Sequence, residues 1–339
     1  MKTPTRRSAE SDRQRHAPNG VAQTASAGVC DFSMYGLRVR SAIDLSEWPL
    51  HRAGEEPEVL ILAEPDMHAR SDGVMYGARS VIEDREVRLQ VHGVAQYTAS
   101  GGSCIRVAAE PGARPEDVRL YLTGAMLGVI LHQRGILPLH ASCVAVEGSG
   151  VAFAAASGGG KSTLVGALLR RGAAFVTDDI CVMTEICAGQ TGVWPGALRL
   201  KLDAPGMAAL DSECTGLEPA GGNRGKYHVP VSTSATPTDP VPLSCVYLLE
   251  FGEGEPRVEE LRGLEAISAL VDETYLLAFA SDMGLSTAIF RKAAELSRTV
   301  TVKRLIRPRG FEHLDAVLDL IERDAGGFGG KRSKKNPDA

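Results

Sequence analysis

The sequence predicts an α/β protein, a nucleotide-type core of strands and helices behind a smaller, β-rich N-terminal module. Three observations predict it. The short apolar run Val151–Ala156 leads directly into SGGGKST and then into a helical stretch, which is a strand–loop–helix order. A second short apolar run, Ala173–Thr177, returns soon after that helix. Upstream of residue 112 the chain reads as short segments of strand-like alternation separated by turns.

In order along the chain, residues 1–27 read as a disordered basic tail. The module at 28–112 starts with strands at MYGLRVRSAI and PEVLILAE, separated by the loop SEWPLHRAGEE. RSVIEDREVRLQVHG and GSCIRVAAEP add further strands. Pro111 and Pro115 mark a turn, and a helix is predicted from about Pro115 to Arg134. Its Val118, Leu120, Leu122, Leu127, Ile130 and Leu131 make one broad apolar face. The predicted catalytic unit, 113–325, continues with LPLHASCVAVEGSGVAFAAA, two strands turning at Glu147–Gly150. A loop at Gly158–Gly160, a helix at Lys161–Arg171 and the strand Ala173–Thr177 follow. Beyond TGVWPGALRLKL, a stretch rich in proline, glycine and small polar residues (218–238) precedes the strand LSCVYLLEF. Helix, strand, loop and a closing helix end the unit, and 326–339 reads as a flexible basic tail.

Charge narrows the function classes. Net charge is −5, yet residues 1–20 and 326–339 each carry +3, which leaves −11 on the body. An acidic body argues against general nucleic-acid binding. No apolar run reaches bilayer length and no apolar segment follows the basic N-terminus, so neither a membrane span nor a secretory signal is expected. The seven cysteines are scattered without a CxxC, as expected of reduced core thiols in a cytoplasmic protein.

The segment Ser157–Gly158–Gly159–Gly160–Lys161–Ser162–Thr163 has the composition of a phosphate cradle. Consecutive glycines let backbone N–H groups converge on an oxyanion, and the helix N-terminus adds donors and a favourable dipole. Lys161 can reach the β- and γ-phosphates, and Ser162 can offer its hydroxyl to Mg²⁺. The usual pattern has glycine where this chain has Ala155, so an ordinary φ is expected there. Asp178 and Asp179 close the next predicted strand, and ligands sit beyond the carboxyl ends of strands in open α/β sheets. Alternation along a strand would split their work, one orienting Mg²⁺ and the other taking a proton from a hydroxyl nucleophile. A cap or turn is the structural alternative. His140 begins the strand pair before the loop and is either a structural residue or a neighbour of the nucleotide. Arg199, Lys201, Arg224 and Lys226 are downstream cations able to neutralise phosphate charge, or simply surface charge.

LPLHASCV, SGGGKSTL and RRGAAFVTDDI together resemble the C-terminal catalytic domain of HPr kinase/phosphorylase, strongly over 137–180 and more loosely to VTVKRLIRPRGFEHLDAVLDLIE. The resemblance implies a phosphoenolpyruvate-carboxykinase-like P-loop kinase core. Lys161 and Ser162 would hold phosphates and metal, Asp178 would deprotonate an acceptor serine, Asp179 would organise the metal, and His140 matches the family's histidine. The chain departs from the E-x-R-G-x-G signature: WPGALRLKL keeps Arg199 without the acid or the following glycines. That departure sets phosphorolysis, and HPr as substrate, apart from the rest of the resemblance. In layout the chain is more similar to the HPr-kinase-like peptide kinases of lasso-peptide gene clusters. This implies ATP and Mg²⁺ as cofactors and a precursor peptide or small protein with an acceptor serine, at the peptide's C-terminus, as partner. A kinase of free serine and a non-catalytic ATP-binding regulator are the alternatives.

Overall fold

The computed structural model describes residues 29–51, 54–65, 78–83 (as backbone), 86–210, 212, 215–217, 219–220, 225–231 and 237–326. The two basic tails (Gly326 apart), Cys214, Arg224 and much of the 218–238 stretch lie outside the described residues.

The N-terminal part is a seven-stranded sheet, in spatial order β1 (Cys30–Met34), β2 (Leu37–Ser41), β3 (Val59–Ala63), β7 (Cys104–Ala109), β6 (Ala95–Ser100), β5 (Glu86–Val91), β4 (Ala78–Glu83). Only the β2–β3 and β3–β7 pairs are parallel. Strict alternation along β2 and β5 buries one face. MYG does not begin a strand. Tyr35 and Gly36 both have positive φ, 53° and 78°, and form the two-residue hairpin turn between β1 and β2. The turn is also a docking point, because a Cβ on Gly36 would overlap the indole of Trp194. β6, AQYTAS, carried too little alternation to be expected from sequence.

Helical residues cover the buried face, with Val118, Leu122, Met126 and Leu127 joining Tyr97, Val87 and Ile105 in one cluster. That cluster extends to Ile180 and Val182, just past the aspartate pair. The expected single helix is three segments: α1 (Pro115–Tyr121), a π-helical turn (Leu122–Met126) and α2 (Leu127–Gln133). Gly124 lies in the π turn, and a Cβ there would sit 3.3 Å from the Tyr275 hydroxyl. At Gly128 it would meet Leu276 at 2.7 Å. These glycines let the helix press against the Tyr275–Leu276 segment.

The second sheet has nine strands. Its main run is β11 (Ala174–Thr177), β9 (Ala141–Val146), β10 (Ser149–Ala154) and β16 (Val241–Phe251), then β18 (Thr301–Arg307) and β17 (Arg257–Leu261). β13 (Gln190–Val193), β12 (Cys181–Cys187) and β8 (Pro138–Leu139) branch from the start of β16. β9 is buried at every position and β10 at all but its first, as strands covered on both faces should be. α3 (Lys161–Arg170) and α8 (Leu314–Asp324) pack on one face through Leu164, Val165, Leu168, Val317 and Ile321. α5 (Gly263–Asp272) and α7 (Ser286–Thr299) cover the other through Leu270, Ile289 and Ala293. Arg171, just past α3, ties α3 to α8 through Asp315, Asp319 and Glu322 at 2.8, 2.6 and 3.0 Å. The molecule is thus an α/β fold with mixed sheets.

β10, β16 and β18 run parallel to one another, so all three carboxyl ends point to the same edge. A separate ribbon of β14 (Arg199–Asp203) and β15 (Lys226–Pro230) approaches that edge. Leu200 and Leu202 are buried toward α3, which leaves Arg199, Lys201 and Asp203 on the ribbon's other face. Among the described residues no helix is long and apolar enough to cross a membrane. Of the described cysteines Cys143, Cys181 and Cys245 are buried and Cys30 and Cys187 exposed, so only part of the set is core.

Candidate active site

The glycine loop joins the carboxyl end of β10 to the start of α3. Gly158 and Gly160 have φ of 84° and 78°, and Gly160 is the residue that leads into the helix. As a glycine, Gly160 offers no side-chain cap to α3. Ala155 is not among the residues with positive φ, and its methyl occupies the space that Gly159 leaves free. A Cβ on Gly159 would lie 2.6 Å from it. Alanine at the usual glycine position is therefore accommodated by a glycine opposite it.

Lys161 is buried. Its Nζ donates to the Ala155 carbonyl at 2.7 Å and meets His140 Nε2 at 3.0 Å. Burial lowers the Lys161 pKa, opposed by Asp179 and Asp178. Burial, and then the Lys161 charge, lower that of His140, which holds the imidazole neutral. With the ammonium donating to Nε2, the ring proton belongs on Nδ1, which faces the Asp179 carbonyl at 3.1 Å. His140 thus links the lysine to the aspartate pair, while its backbone N–H donates to the Glu273 carbonyl at 2.7 Å.

Asp178 and Asp179 lie just beyond β11, in a bend, not at the end of a strand. Asp179 has φ 75°, a left-handed conformation that non-glycine residues adopt at a cost of about 1–2 kcal/mol. This twist, and not strand alternation, sends the two carboxylates apart. Asp178 accepts from Ser142 Oγ at 2.5 Å, from Ser162 Oγ at 3.0 and 3.1 Å, and from the Lys201 N–H at 2.8 Å. Asp179 Oδ2 accepts from Lys201 Nζ at 2.6 Å, and its Oδ1 lies 3.5 Å from His140 Nδ1. Burial would raise the Asp179 pKa, but Lys201, His140 and Lys161 together hold it well below the usual carboxylate range.

Two cavities meet here. The larger, about 240 Å³, runs from the loop (Ser157–Thr163) past His140, Asp179, Lys201 and Lys226 to Phe251, Arg307, Arg309 and Phe311. The smaller, about 30 Å³, lies between Asp178 and Asp179 on one side and Tyr35 and Trp48 on the other. Thr123 and Gly124 of the π turn and Arg199 complete it. Tyr35 and Trp48 meet edge to face at 4.8 Å, and Arg199 pairs with Glu47 at 3.3 Å. The N-terminal sheet therefore walls this second cavity.

The structure brings together every described candidate: His140, the loop from Ser157 to Thr163, Asp179, Lys201 and Lys226 at the cleft, and Asp178 and Arg199 at the smaller cavity beside it. Tyr35, Trp48, Glu47, Phe251, Arg307, Arg309 and Phe311 were not expected. The one local signal for the last two arginines is a pair of cations at the end of a strand, in RLIRPRG. Among the described residues no group of three or more His, Cys, Asp or Glu is arranged to hold a metal ion. Mg²⁺ commonly takes one or two protein oxygens beside substrate phosphates, and the Ser162 hydroxyl with the Asp178 carboxylate beside it fits that donor set.

No protein-family model matches this chain, and no curated protein matches it. Among solved structures it is similar to the HPr(Ser) kinase/phosphatase from Coxiella burnetii, at 16% identity and a TM-score of 0.32. The match covers 56% of this chain and 95% of that one, and is a distant likeness that carries neither substrate nor activity across.

Proposed function

We propose that this protein is an ATP- and Mg²⁺-dependent kinase of a serine hydroxyl, with a phosphoenolpyruvate-carboxykinase-like core at 113–325 behind the 28–112 module. The observation that carries the reading is the contact of Ser162 with Asp178 beside a buried Lys161 at the mouth of a glycine loop. Lys161 is held at the loop by the Ala155 carbonyl and His140, and a triphosphate seated in the loop would be the anion its Nζ meets. In this reading the loop from Ser157 to Thr163 holds the phosphates, with Lys161 against the transferring group. Ser162 and Asp179 would hold Mg²⁺, which when bound supplies positive charge against the phosphate oxygens. Asp178 takes the proton as the serine oxygen bonds to the γ-phosphorus and the bond to the β-phosphate oxygen breaks, releasing ADP.

What supports an acceptor approaching from the N-terminal sheet is the side of the aspartate pair turned to the smaller cavity, where Tyr35, Trp48 and Arg199 line the space beside Asp178. The acceptor proposed is a serine at the C-terminus of a ribosomally made precursor peptide, of the lasso type. The Ser162–Asp178 hydrogen bond favours a second division of labour, in which those two residues hold Mg²⁺ and Asp179 takes the proton. Titrating Mg²⁺ against Asp178→Asn and Asp179→Asn decides between them, since the ligand's variant needs more metal and the base's variant does not.

The test of the function is mass-resolved transfer from Mg²⁺-ATP to a peptide ending in serine, a peptide with an internal serine, HPr and free serine. Phosphate on the terminal-serine peptide is expected. Phosphate on free serine alone would make the protein a small-molecule kinase. ATP binding with no transfer to any acceptor would favour a nucleotide-binding regulator.

A further inference from the structure

The phosphate loop occupies only one end of the larger cavity, and the other end is built differently. β10, β16 and β18 are parallel neighbours in that order, and their carboxyl ends carry, respectively, the glycine loop, Phe251 and Arg307. Adjacent strands lie about 4.8 Å apart, so the end of β18 stands about 10 Å to the side of the loop. Ligands of open α/β sheets lie across such strand ends. A nucleotide with its phosphates at the end of β10 therefore extends over the ends of β16 and β18.

Those ends carry flat, exposed groups. Phe251 and Phe311 are 41% and 49% exposed in a chain with only eight phenylalanines, and both line the cavity. The guanidinium groups of Arg307 and Arg309 lie over the Phe251 ring at 4.7 and 4.2 Å. Arg307 also donates to the Gly159 carbonyl, and a Cβ on Gly160 would press against its guanidinium, so the arginine joins this rim to the phosphate loop. Its Nε is buried and has no hydrogen-bond acceptor among the described residues. A surface arginine stacked on an aromatic for its own sake would keep that N–H in water. Here it is withdrawn from water and unpaired beside a cavity, which is the condition a ligand oxygen would relieve.

We propose that Phe251, Arg309 and Phe311 form a stacking platform for the base of a nucleoside triphosphate, with Arg307 supplying a donor between base and phosphates. The inference rests on the reading of the glycine loop as a phosphate site. Stacking on aromatic and guanidinium planes holds a base by its face, so the platform adds affinity and not phosphate chemistry.

Calorimetric titration with Mg²⁺-ATP and with Mg²⁺-tripolyphosphate tests it on the full chain and on Phe311→Ala and Phe251→Leu. Both changes fall on exposed side chains, and thermal melts confirm that the variants fold. ATP should bind the wild type about tenfold or more tightly than tripolyphosphate, the scale of one stacked base. Each variant should lose most of that advantage and keep its tripolyphosphate affinity. Equal affinity of the wild type for the two ligands, or folded variants with unchanged ATP affinity, would overturn the platform and leave the phosphate site standing. Failure of the wild type to bind either ligand would overturn both.

Discussion

Replacing Asp178 by Asn exchanges one oxygen for an NH₂ group at the most heavily hydrogen-bonded carboxylate of the cleft. The carboxylate accepts from Ser142, Ser162 and the Lys201 N–H. An asparagine can keep its carbonyl toward the Lys201 N–H and turn its NH₂ to Ser142, because a hydroxyl also accepts. What is lost is the charge assistance. Hydrogen bonds to charged groups contribute about 1.5–3 kcal/mol and neutral ones about 0.5–1.5 kcal/mol, so three weakened bonds cost roughly 3–4.5 kcal/mol at most. Removing a negative charge beside Asp179 offsets part of this. Asp178→Ala is harsher, since it strands the buried Ser142 hydroxyl and the Lys201 N–H at about 1–3 kcal/mol each. The Asn variant should therefore fold and bind ATP, while transfer falls by about 10²–10⁴-fold, the usual contribution of a positioned base. Urea denaturation, ATP calorimetry and a transfer assay on the same preparation separate the three effects. Turnover within about threefold of wild type would refute Asp178 as base, because a positioned base typically contributes about 10²-fold or more.

Three further outcomes follow from the same geometry. Lys161→Met should weaken ATP binding by about tenfold or more and cost about 1–3 kcal/mol in urea denaturation, since it leaves the Ala155 carbonyl and His140 Nε2 without their donor while relieving a buried charge. Gly36→Ala should destabilise by about 2–5 kcal/mol, combining a left-handed alanine with overpacking against Trp194, and the same denaturation measurement checks it. Stability should fall as pH drops below about 6.5, because burial lowers the pKa of His132, His140 and His228, the last to about 3. In that window the unfolded chain takes up protons that the folded one does not, so a His228→Gln variant should show a shallower loss of stability between pH 7.5 and pH 5.

What the chain reveals of this site by itself depends on whether the parts are contiguous. The loop from Ser157 to Thr163 is legible because strand, glycines, lysine and helix are consecutive, and each carries its local signal. The aspartate pair is legible as a position, since the strand returns to the same edge. Its two directions are not, because they depend on the left-handed φ of Asp179, which no local pattern announces. Tyr35 and Trp48 reach the smaller cavity through a tertiary contact, the hairpin turn at Gly36 seated against Trp194, and Glu47 joins only through its pair with Arg199. Likewise Phe251 and Arg307 join the loop only once the parallel order of β10, β16 and β18 is known. The helix over 115–134 illustrates the reverse case. Its apolar face was legible, and the π turn was not, because it arises from the close approach of Tyr275.

The most direct test is to follow ATP and a serine-ended peptide in one reaction with Mg²⁺, wild-type protein and the Asp178→Asn control. Phosphotransfer predicts one phosphate gained by the peptide's terminal serine for each ATP converted to ADP, with both changes at least about a hundredfold slower in the variant. ATP bound but unconsumed, or consumed with the peptide unmodified, would contradict it.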